Sequence, residues 1–423
     1  MRILLLGSGG REHAMAWKIS QSPHCSKLFI APGNAGTALC GSNEDLDILD
    51  ASKVGAFALK EKIDLLVVGP EAPLVNGIAD HFRNDDTLSH ILVMGPETAG
   101  ARLEGSKAFA KTFMKRYGIP TAAYQSFNST QAEEALAFIE NSRSPYVIKA
   151  DGLAAGKGVV ITQSKKEAQS VLDDMLKGRL FGEASSTVVV EEFLEGEELS
   201  VFVATDGNSY CILPSAQDYK RVGDNDTGPN TGGMGAVSPV PLLDKALMKR
   251  IEERVIVPTV NGLKTEGIPY CGFIFFGLMV VKGNPYMIEY NVRLGDPETE
   301  AIIPRLRSDL VELMVDCCKG NLASYSIEVA PQTAVTVMLC SGGYPGTYEK
   351  GYPIHTPEAS EKTHIFLAGA RQSGDRLLTN GGRVMAITAL ADSVKNARLA
   401  AYQLAQKVDF RDMYFRKDIA KNV

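Results

Sequence analysis

The segment from Met287 to Glu298 reads Met-Ile-Glu-Tyr-Asn-Val-Arg-Leu-Gly-Asp-Pro-Glu, and it gathers an acid, an amide and a cation at alternate positions. If Met287 to Arg293 is a strand, period-2 alternation sends Glu289, Asn291 and Arg293 to one face and Ile288, Tyr290 and Val292 to the other. A carboxylate and an amide oxygen on one face of a rigid strand can share a hard cation, because Mg²⁺ wants oxygen ligands and usually takes only one or two from protein. Arg293, the next side chain on that face, can fork onto a phosphate. The alternative is a surface strand with solvated polar residues. It fits less well, because the turn that follows adds two more carboxylates, Asp296 and Glu298.

A second chemically suggestive stretch runs from Pro145 to Thr162. Strand Tyr146 to Ala150 is expected to pair with strand Val159 to Thr162 across a glycine-rich turn, with Lys149 on the first strand and Lys157 at the turn. A P-loop would read Gly-x-x-x-x-Gly-Lys-Ser/Thr and open a helix. This stretch is one residue too short, lacks the hydroxyl residue and continues as a strand. It reads instead as a flap that closes over a triphosphate while its lysines neutralise charge. Ser106 to Tyr117 reads as a helix capped by Ser106. Lys107 then lies in the first turn, where the helix dipole disfavours a cation. A nearby anion would account for it, and so would a tolerated exposed lysine.

Glu191-Glu192-Phe193-Leu194-Glu195-Gly196-Glu197-Glu198 carries many carboxylates and no neighbouring cation, so it makes a poor phosphate site. Those acids could accept hydrogen bonds from an adenine amine and ribose hydroxyls, the backbone lying along the base edge; a solvated acidic turn is an equal reading for Glu195 and Glu197. The polar loop Ala216 to Pro239 is long enough to be functional or disordered. Its Asp224-x-Asp226-x-Gly228 lacks the spacing and terminal acid of an EF-hand. Asp218, Lys220 and Arg221 have the character of substrate contacts, and the glycines Gly232, Gly233 and Gly235 would let backbone approach a ligand.

These groups need a scaffold. Ile3 to Leu6, Leu28 to Ala31, Leu65 to Val68 and Ile91 to Met94 read as buried strands, each entering a loop rich in Gly, Pro, Asn or Glu. In an open parallel sheet such loops line one crevice at the carboxyl ends of the strands, here suited to a sugar phosphate. The first loop, Gly7-Ser8-Gly9-Gly10-Arg11-Glu12-His13, opens a helix, so its bare N–H groups and Arg11 suit a monophosphate. It fails the dinucleotide fingerprint, since Glu12 stands where the third glycine belongs. For any single loop, plain turn chemistry is an equal reading. Near the C-terminus, Thr333 to Cys340 and Arg383 to Leu390 read as strands and Asp392 to Val408 as an amphipathic helix, a small mixed β domain. Gly381-Gly382-Arg383 is a turn or an arm reaching the site.

The composition is that of a globular chain: 423 residues, 45% hydrophobic and 22% charged, enough for several domains. A net charge of -6 argues against general nucleic-acid binding, so local cations must hold any phosphate. Seven cysteines without a Cys-x-x-Cys pair suggest reduced thiols, Cys317 and Cys318 being packing residues. The apolar run at the N-terminus is too short for a signal peptide, and no stretch has membrane-spanning length, so a cytoplasmic protein is expected.

Lys149, the glycine flap, Glu191 to Leu194 and Glu289-x-Asn291 follow the order of an ATP-grasp ligase. Together with Gly-Gly-Arg-Glu-His at 9 to 13, Pro-Gly-Asn-Ala-Gly-Thr at 32 to 37, Gly-Pro-Glu-Ala-Pro-Leu at 69 to 74, Leu-Glu-Gly-Ser-Lys-Ala-Phe at 103 to 109 and Asp-Thr-Gly-Pro-Asn-Thr-Gly-Gly-Met-Gly-Ala at 226 to 236, they narrow the match. Over its whole length, including Asn-Gly-Gly-Arg-Val at 380 to 384, the chain resembles the glycinamide ribonucleotide synthetases, the phosphoribosylamine-glycine ligases of purine synthesis.

The resemblance implies an ATP-dependent carbon-nitrogen ligase that joins glycine to 5-phosphoribosylamine through glycyl phosphate, with Mg²⁺ or Mn²⁺ as cofactor and ATP as cosubstrate. It implies metal ligation by Glu289 and Asn291, and phosphate contacts from Lys107, Lys149 and Lys157. Glu191, Glu192, Phe193, Leu194 and Glu198 would take the adenosine. Arg293 would meet the transition-state charge, with Lys149 and Asp296 as further catalytic groups. Gly9, Gly10, Arg11, Asn34 and Glu71 would receive phosphoribosylamine, and Asp218, Lys220 and Gly233 would make nearby substrate contacts. The expected architecture is α/β and α+β: an open parallel α/β domain over 1–101, an ATP-grasp domain over 102–328 with a lid lobe at about 121–192, and a mixed β domain over 329–423. Only small-molecule partners are expected, with no nucleic acid or membrane, and a monomeric chain.

Two rivals in the same sequence are an ATP-grasp enzyme for a different acid and a nicotinamide-dependent oxidoreductase built on the N-terminal glycines. A nucleotide sensor without turnover is a third, disfavoured by the density of metal and phosphate ligands.

Overall fold

The computed structural model describes residues 1–154 and 158–422. The first unit is a five-stranded parallel sheet in the order Ser42–Asn43, Lys27–Pro32, Arg2–Gly7, Leu65–Val68, Leu92–Met94. Its central strand, Ile-Leu-Leu-Leu, is buried on both faces, as expected when helices cover both sides of a parallel sheet. The strand order reverses between Arg2–Gly7 and Leu65–Val68, which puts the crevice there, between the first glycine turn and Gly69.

An antiparallel sheet follows in the order Tyr210–Ile212, Glu197–Thr205, Gly272–Val281, Asn284–Asn291. The run Phe-Ile-Phe-Phe-Gly-Leu-Met-Val forms an inner strand of this sheet, so nearly every residue is buried and the sequence shows no alternation. Strand Asn284–Asn291 ends two residues short of the expected Arg293 and carries a register shift where it faces Gly277 and Leu278. Met287 pairs with Leu278 and Glu289 with Gly277, leaving Ile288 as an extra residue. That bulge corrects the simple alternation: Met287, Tyr290 and Val292 are buried, while Ile288 turns with Glu289 and Asn291 toward the cavity.

A separate lobe is built on an antiparallel sheet in the order Tyr124–Asn128, Thr187–Glu192, Tyr146–Ala150, Val159–Thr162. Helices Ala132–Asn141 and Lys165–Leu176 pack on it, and Phe127, Ile139, Ile148, Leu172 and Val188 give it an apolar core of its own. The expected hairpin is present, with Lys149 opposite Val159; Lys157 lies outside the described residues.

The last sheet runs Gln217–Asp218, Gly235–Ser238, Thr333–Cys340, Arg383–Ala391, Thr363–Leu367, all antiparallel. The long polar loop 216–239 is therefore ordered: its two ends are strands of the C-terminal sheet, and Arg221–Gly223 pairs with Thr227–Asn230 between them. Thr333–Cys340 is buried throughout because helix Val394–Ala405 covers one face and the segment Glu298–Ile302 packs on the sheet as well. No helix among the described residues is long and apolar enough to cross a membrane.

Candidate functional site

One cavity of about 820 Å³ lies where the lobe, the antiparallel sheet and the two terminal units meet. Glu289 and Asn291 form part of its floor, and Lys107, Lys149, Lys220 and Arg293 line it with them. Burial alone would raise the Glu289 pKa. The cations Lys220, Lys149, Lys107 and Arg293 together outweigh that and hold it below the usual carboxylate range. An ionised carboxylate is thus kept inside the cleft at the convergence of four positive charges. Asn291 offers its amide oxygen beside it, accepting a hydrogen bond from Arg293 at 3.1 Å.

Arg293 is held from two sides. Its guanidinium donates to Glu104 Oε1 at 2.8 Å, and its Nε lies 3.3 Å from Glu71 Oε2 in an ion pair too poorly aligned for a hydrogen bond. Glu104 also accepts the Val292 N–H at 2.8 Å, which anchors the end of strand Asn284–Asn291 to helix Thr98–Gly105. Burial pushes the Glu104 pKa up against the pull of Arg293.

Ser106 caps helix Lys107–Arg116 as expected. The Lys107 ammonium donates to the carbonyls of Asp151 and Gly152 at 3.3 and 3.2 Å, and the Asp151 carboxylate accepts the Ala108 N–H at 2.7 Å, which sets an anion at the helix N-terminus. Burial lowers the Lys107 pKa, with Glu289 pulling the other way.

The acidic segment does have basic partners, contrary to its reading in isolation; they arrive from elsewhere in the chain. Glu191 Oε2 lies 2.9 Å from Lys149 and 3.1 Å from Lys111, while Glu191 Oε1 is buried with no hydrogen-bond partner among the described residues. Glu198 is paired with Lys220. Glu192, Phe193, Leu194 and Glu197 line the same wall, with Phe193 exposed. Burial, the largest influence on Lys220, would lower its pKa, but Glu198, Asp218 and Glu289 together hold it well above the usual lysine value. Asp218 shifts the other way: burial first, then Glu298 and its other acidic neighbours, raise it well above the carboxylate range despite Lys220.

The N-terminal residues separate into two groups. Arg11 and Glu71 line the cavity, whereas Gly9, Gly10, Asn34 and Gly233 do not. Glu12 occupies the anion position at the first helix: its Oε2 accepts the Gly9 N–H at 2.7 Å and its Oε1 pairs with Arg11 Nε at 2.5 Å. Arg11 NH1 donates to the Leu294 carbonyl at 3.1 Å. A residue that fails the dinucleotide pattern therefore supplies the negative charge expected there of a ligand. Asn34 donates to the carbonyls of Ser8, Gly9 and Leu367 and accepts the N–H groups of Gly36 and Thr37, pinning its own loop to the first turn and the C-terminal sheet. Gly10 is required because a Cβ would strike the Glu300 carboxyl, and Gly233, at φ +113°, because one would strike Pro297.

Asp296 joins three regions. Arg383 of the C-terminal sheet pairs with its Oδ1 at 2.9 Å and donates to its carbonyl at 2.7 Å, while the Arg11 N–H reaches Oδ2 at 3.4 Å. Arg383 also donates to the Gly232 carbonyl at 2.6 Å and lines the cavity, so the C-terminal arm does reach the site.

Sequence reasoning missed Lys111 and Glu104. A signal for Lys111 was present: it lies one helical turn from Lys107 and shares its face. Glu104 stood inside the quoted Leu-Glu-Gly-Ser-Lys motif, but no local pattern linked it to Arg293.

Comparison with known proteins fits this geometry. The phosphoribosylglycinamide synthetase N domain matches residues 1–104, the ATP-grasp (A) domain residues 105–299 and the C domain residues 334–422. The phosphoribosylamine-glycine ligase of Pasteurella multocida is 49% identical over 99% of this chain and 97% of its own length. The crystal structure of the phosphoribosylamine-glycine ligase of Thermotoga maritima superposes with a TM-score of 0.86 at 39% identity, over 99% of this chain and 100% of the other. The biotin carboxylase domain of 2-oxoglutarate carboxylase from Hydrogenobacter thermophilus, at 16% identity, covers 98% of this chain and 91% of its own with a TM-score of 0.73; it shares the fold. The chain belongs to the phosphoribosylglycinamide synthetase family, an ATP-grasp ligase family.

Proposed function

We propose that the cavity carries out the ATP-dependent ligation of glycine to 5-phosphoribosylamine for purine biosynthesis, and that the reaction passes through glycyl phosphate. The ligase activity is that of the family. In the intermediate step, a glycine carboxylate oxygen attacks the γ-phosphorus and ADP leaves. The amine of phosphoribosylamine then attacks the acyl carbon, loses a proton, and phosphate departs with the C–O bond electrons. The products are glycinamide ribonucleotide, ADP and phosphate.

The observation that carries the reading is the ionised Glu289 at the focus of Lys107, Lys149, Lys220 and Arg293. The triphosphate of ATP, the phosphate of phosphoribosylamine and the glycine carboxylate repel one another, so the chain must mostly position them and stabilise charge. Lys107 and Lys149 would take triphosphate oxygens, and Arg293, steadied by Glu104, would face the transferring phosphoryl. Glu191, with its unpartnered Oε1, and the wall from Glu192 to Leu194 would take the base, and Glu198 the ribose. Asp218, Lys220 and Asp296 would meet glycine or the ribose phosphate, with Arg11 and Glu71 on the phosphoribosylamine side. Gly9, Gly10, Asn34 and Gly233 would act by shaping that side.

The donor set fits a hard divalent ion. Glu289 and Asn291 supply the one or two oxygens that Mg²⁺ or Mn²⁺ takes from protein. Bound there, the ion would neutralise charge on the triphosphate and fix the γ-phosphoryl.

The seven thiols are free, which accords with a cytoplasmic setting. The test is ADP release with ATP and phosphoribosylamine against a panel of small carboxylates, together with hydroxylamine trapping of the acyl phosphate. Glycine-dependent turnover and a glycine hydroxamate are expected. Indifference to glycine would contradict the substrate, and turnover without a trapped acyl group would contradict the intermediate.

A further inference from the structure

Two segments carry the chain between the catalytic sheet and the lobe, near Thr121 and near Glu191, and one ammonium ties both to the same helix. Lys111 sits on helix Lys107–Arg116 and is 2% exposed. Its Nζ donates to Thr121 Oγ1 at 2.6 Å and lies 3.1 Å from Glu191 Oε2. Thr121 Oγ1 in turn donates to the Met287 carbonyl at 2.6 Å, and the Met287 N–H bonds the Pro120 carbonyl at 2.7 Å. The ammonium therefore links the helix, the entry and exit of the lobe, and the strand bearing Glu289. A buried lysine is costly unless its charge is used. Here it goes to the oxygen of Glu191 that Lys149 shares, at 2.9 Å, and among the described residues Oε1 has no partner at the cavity wall.

We propose that Lys111 is a positioning residue of the nucleotide site: by gripping Glu191 Oε2 and Thr121 together, it aims Glu191 Oε1 at the nucleobase amine and registers the lobe against the catalytic strand. The inference rests on the reading that ATP fills this cavity. Lys111 makes no claim on phosphate, unlike Lys107 and Lys149; it acts through Glu191. The groups facing it are Glu191 and Lys149 from the lobe, Thr121 and the ring of Tyr124 at the lobe's entry, and, at longer range, Glu289 from the sheet. Burial lowers its pKa to about 8 against the pull of Glu191, so its charge is marginal at the alkaline end of the physiological range.

The test uses the full chain and compares Lys111→Met, Lys111→Gln and Lys111→Arg with the unsubstituted protein, measuring ATP binding directly by calorimetry and KM for ATP and for glycine separately. Loss of a charge-assisted contact on an aligned carboxylate weakens ATP binding by about ten- to a hundredfold in the Met and Gln variants. KM for glycine should stay within about twofold, an asymmetry that a merely structural residue would not produce. Lys111→Arg keeps a cation and should restore most of the affinity. It should also move the alkaline loss of ATP affinity, expected near pH 8 in the unsubstituted protein, to higher pH. Unchanged ATP affinity in a folded Met or Gln variant overturns the proposal. So does an equal loss for ATP and glycine, or failure of both neutral variants to fold, since each assigns Lys111 to structure alone. If the unsubstituted protein bound no ATP, the functional reading itself would fall.

Discussion

Strand Asn284–Asn291 and the first glycine turn, residues 7–13, use polar groups in opposite ways. The cavity-facing side keeps its charge for the cavity: four nearby cations hold Glu289 ionised, and Glu191 Oε1, on the lobe strand, has no hydrogen-bond partner among the described residues. In the glycine turn, charge is closed on itself. Glu12 takes the Gly9 N–H and the Arg11 guanidinium, and Asn34 spends its whole amide on neighbouring backbone. Motifs of similar ligand-like appearance thus divide by where their polar atoms face: Glu191, Glu289 and Asn291 line the cavity, whereas Gly9, Gly10 and Asn34 do not.

That contrast can be broken first at Glu289. Replacing it by Gln removes the ionised oxygen while keeping the shape, and glycine-dependent ADP release should fall by at least about a hundredfold, with the circular dichroism spectrum and thermal midpoint retained. Full turnover at ordinary Mg²⁺ would remove Glu289 from the reacting centre. Lys149→Ala should raise KM for ATP by about ten- to a hundredfold; unchanged affinity would contradict a phosphate role.

The closed side predicts the reverse pattern. Gly10→Ala sets a methyl against the Glu300 carboxyl, and Asn34→Ala strips the bonds that hold its loop, so each should cost about 1–3 kcal/mol of stability. KM for ATP in these variants should stay within about threefold of the parent. Thermal unfolding and KM for ATP and phosphoribosylamine, measured side by side, check it; a stable Asn34→Ala protein with a large rise in KM for phosphoribosylamine would make Asn34 a direct ligand.

The smallest effect concerns Glu300, fully buried beside Asp296. Burial, followed by the charge of Asp296, raises its pKa well above the usual carboxylate value, so it is held as the neutral acid at mildly acidic pH. A group raised on folding contributes stability that is present below its unfolded pKa and lost as pH rises through its folded pKa. Stability should therefore decline from about pH 4.5 upward by this contribution. Glu300→Gln, neutral at every pH, should flatten the decline. Parallel curves of unfolding midpoint against pH for the two proteins would show that Glu300 carries no such penalty.

Much of this was legible in the sequence because local pattern and fold agree. Strands Tyr146–Ala150 and Thr333–Cys340, the Ser106 cap and the capacity of Glu289 and Asn291 to face one cavity follow from period and capping chemistry. What escaped depends on pairing between distant segments. The bulge at Ile288 is set by the register against Gly277 and Leu278, which no local alternation encodes. The acids at 191 and 198 looked unpartnered because Lys111, Lys149 and Lys220 reach them only in the folded chain. The polar loop 216–239 gave no sign that its ends would join the C-terminal sheet, since the partner strand begins nearly a hundred residues later.

If Glu289, with Asn291 beside it, holds a divalent ion against the nucleotide, electron paramagnetic resonance titration of Mn²⁺ with a non-hydrolysable ATP analogue reads it out in the unsubstituted protein and in Glu289→Gln. A tight, analogue-dependent Mn²⁺ signal is expected in the first, with its loss or strong weakening in the second. Equal Mn²⁺ binding in both, with the analogue bound, would remove Glu289 from the metal site.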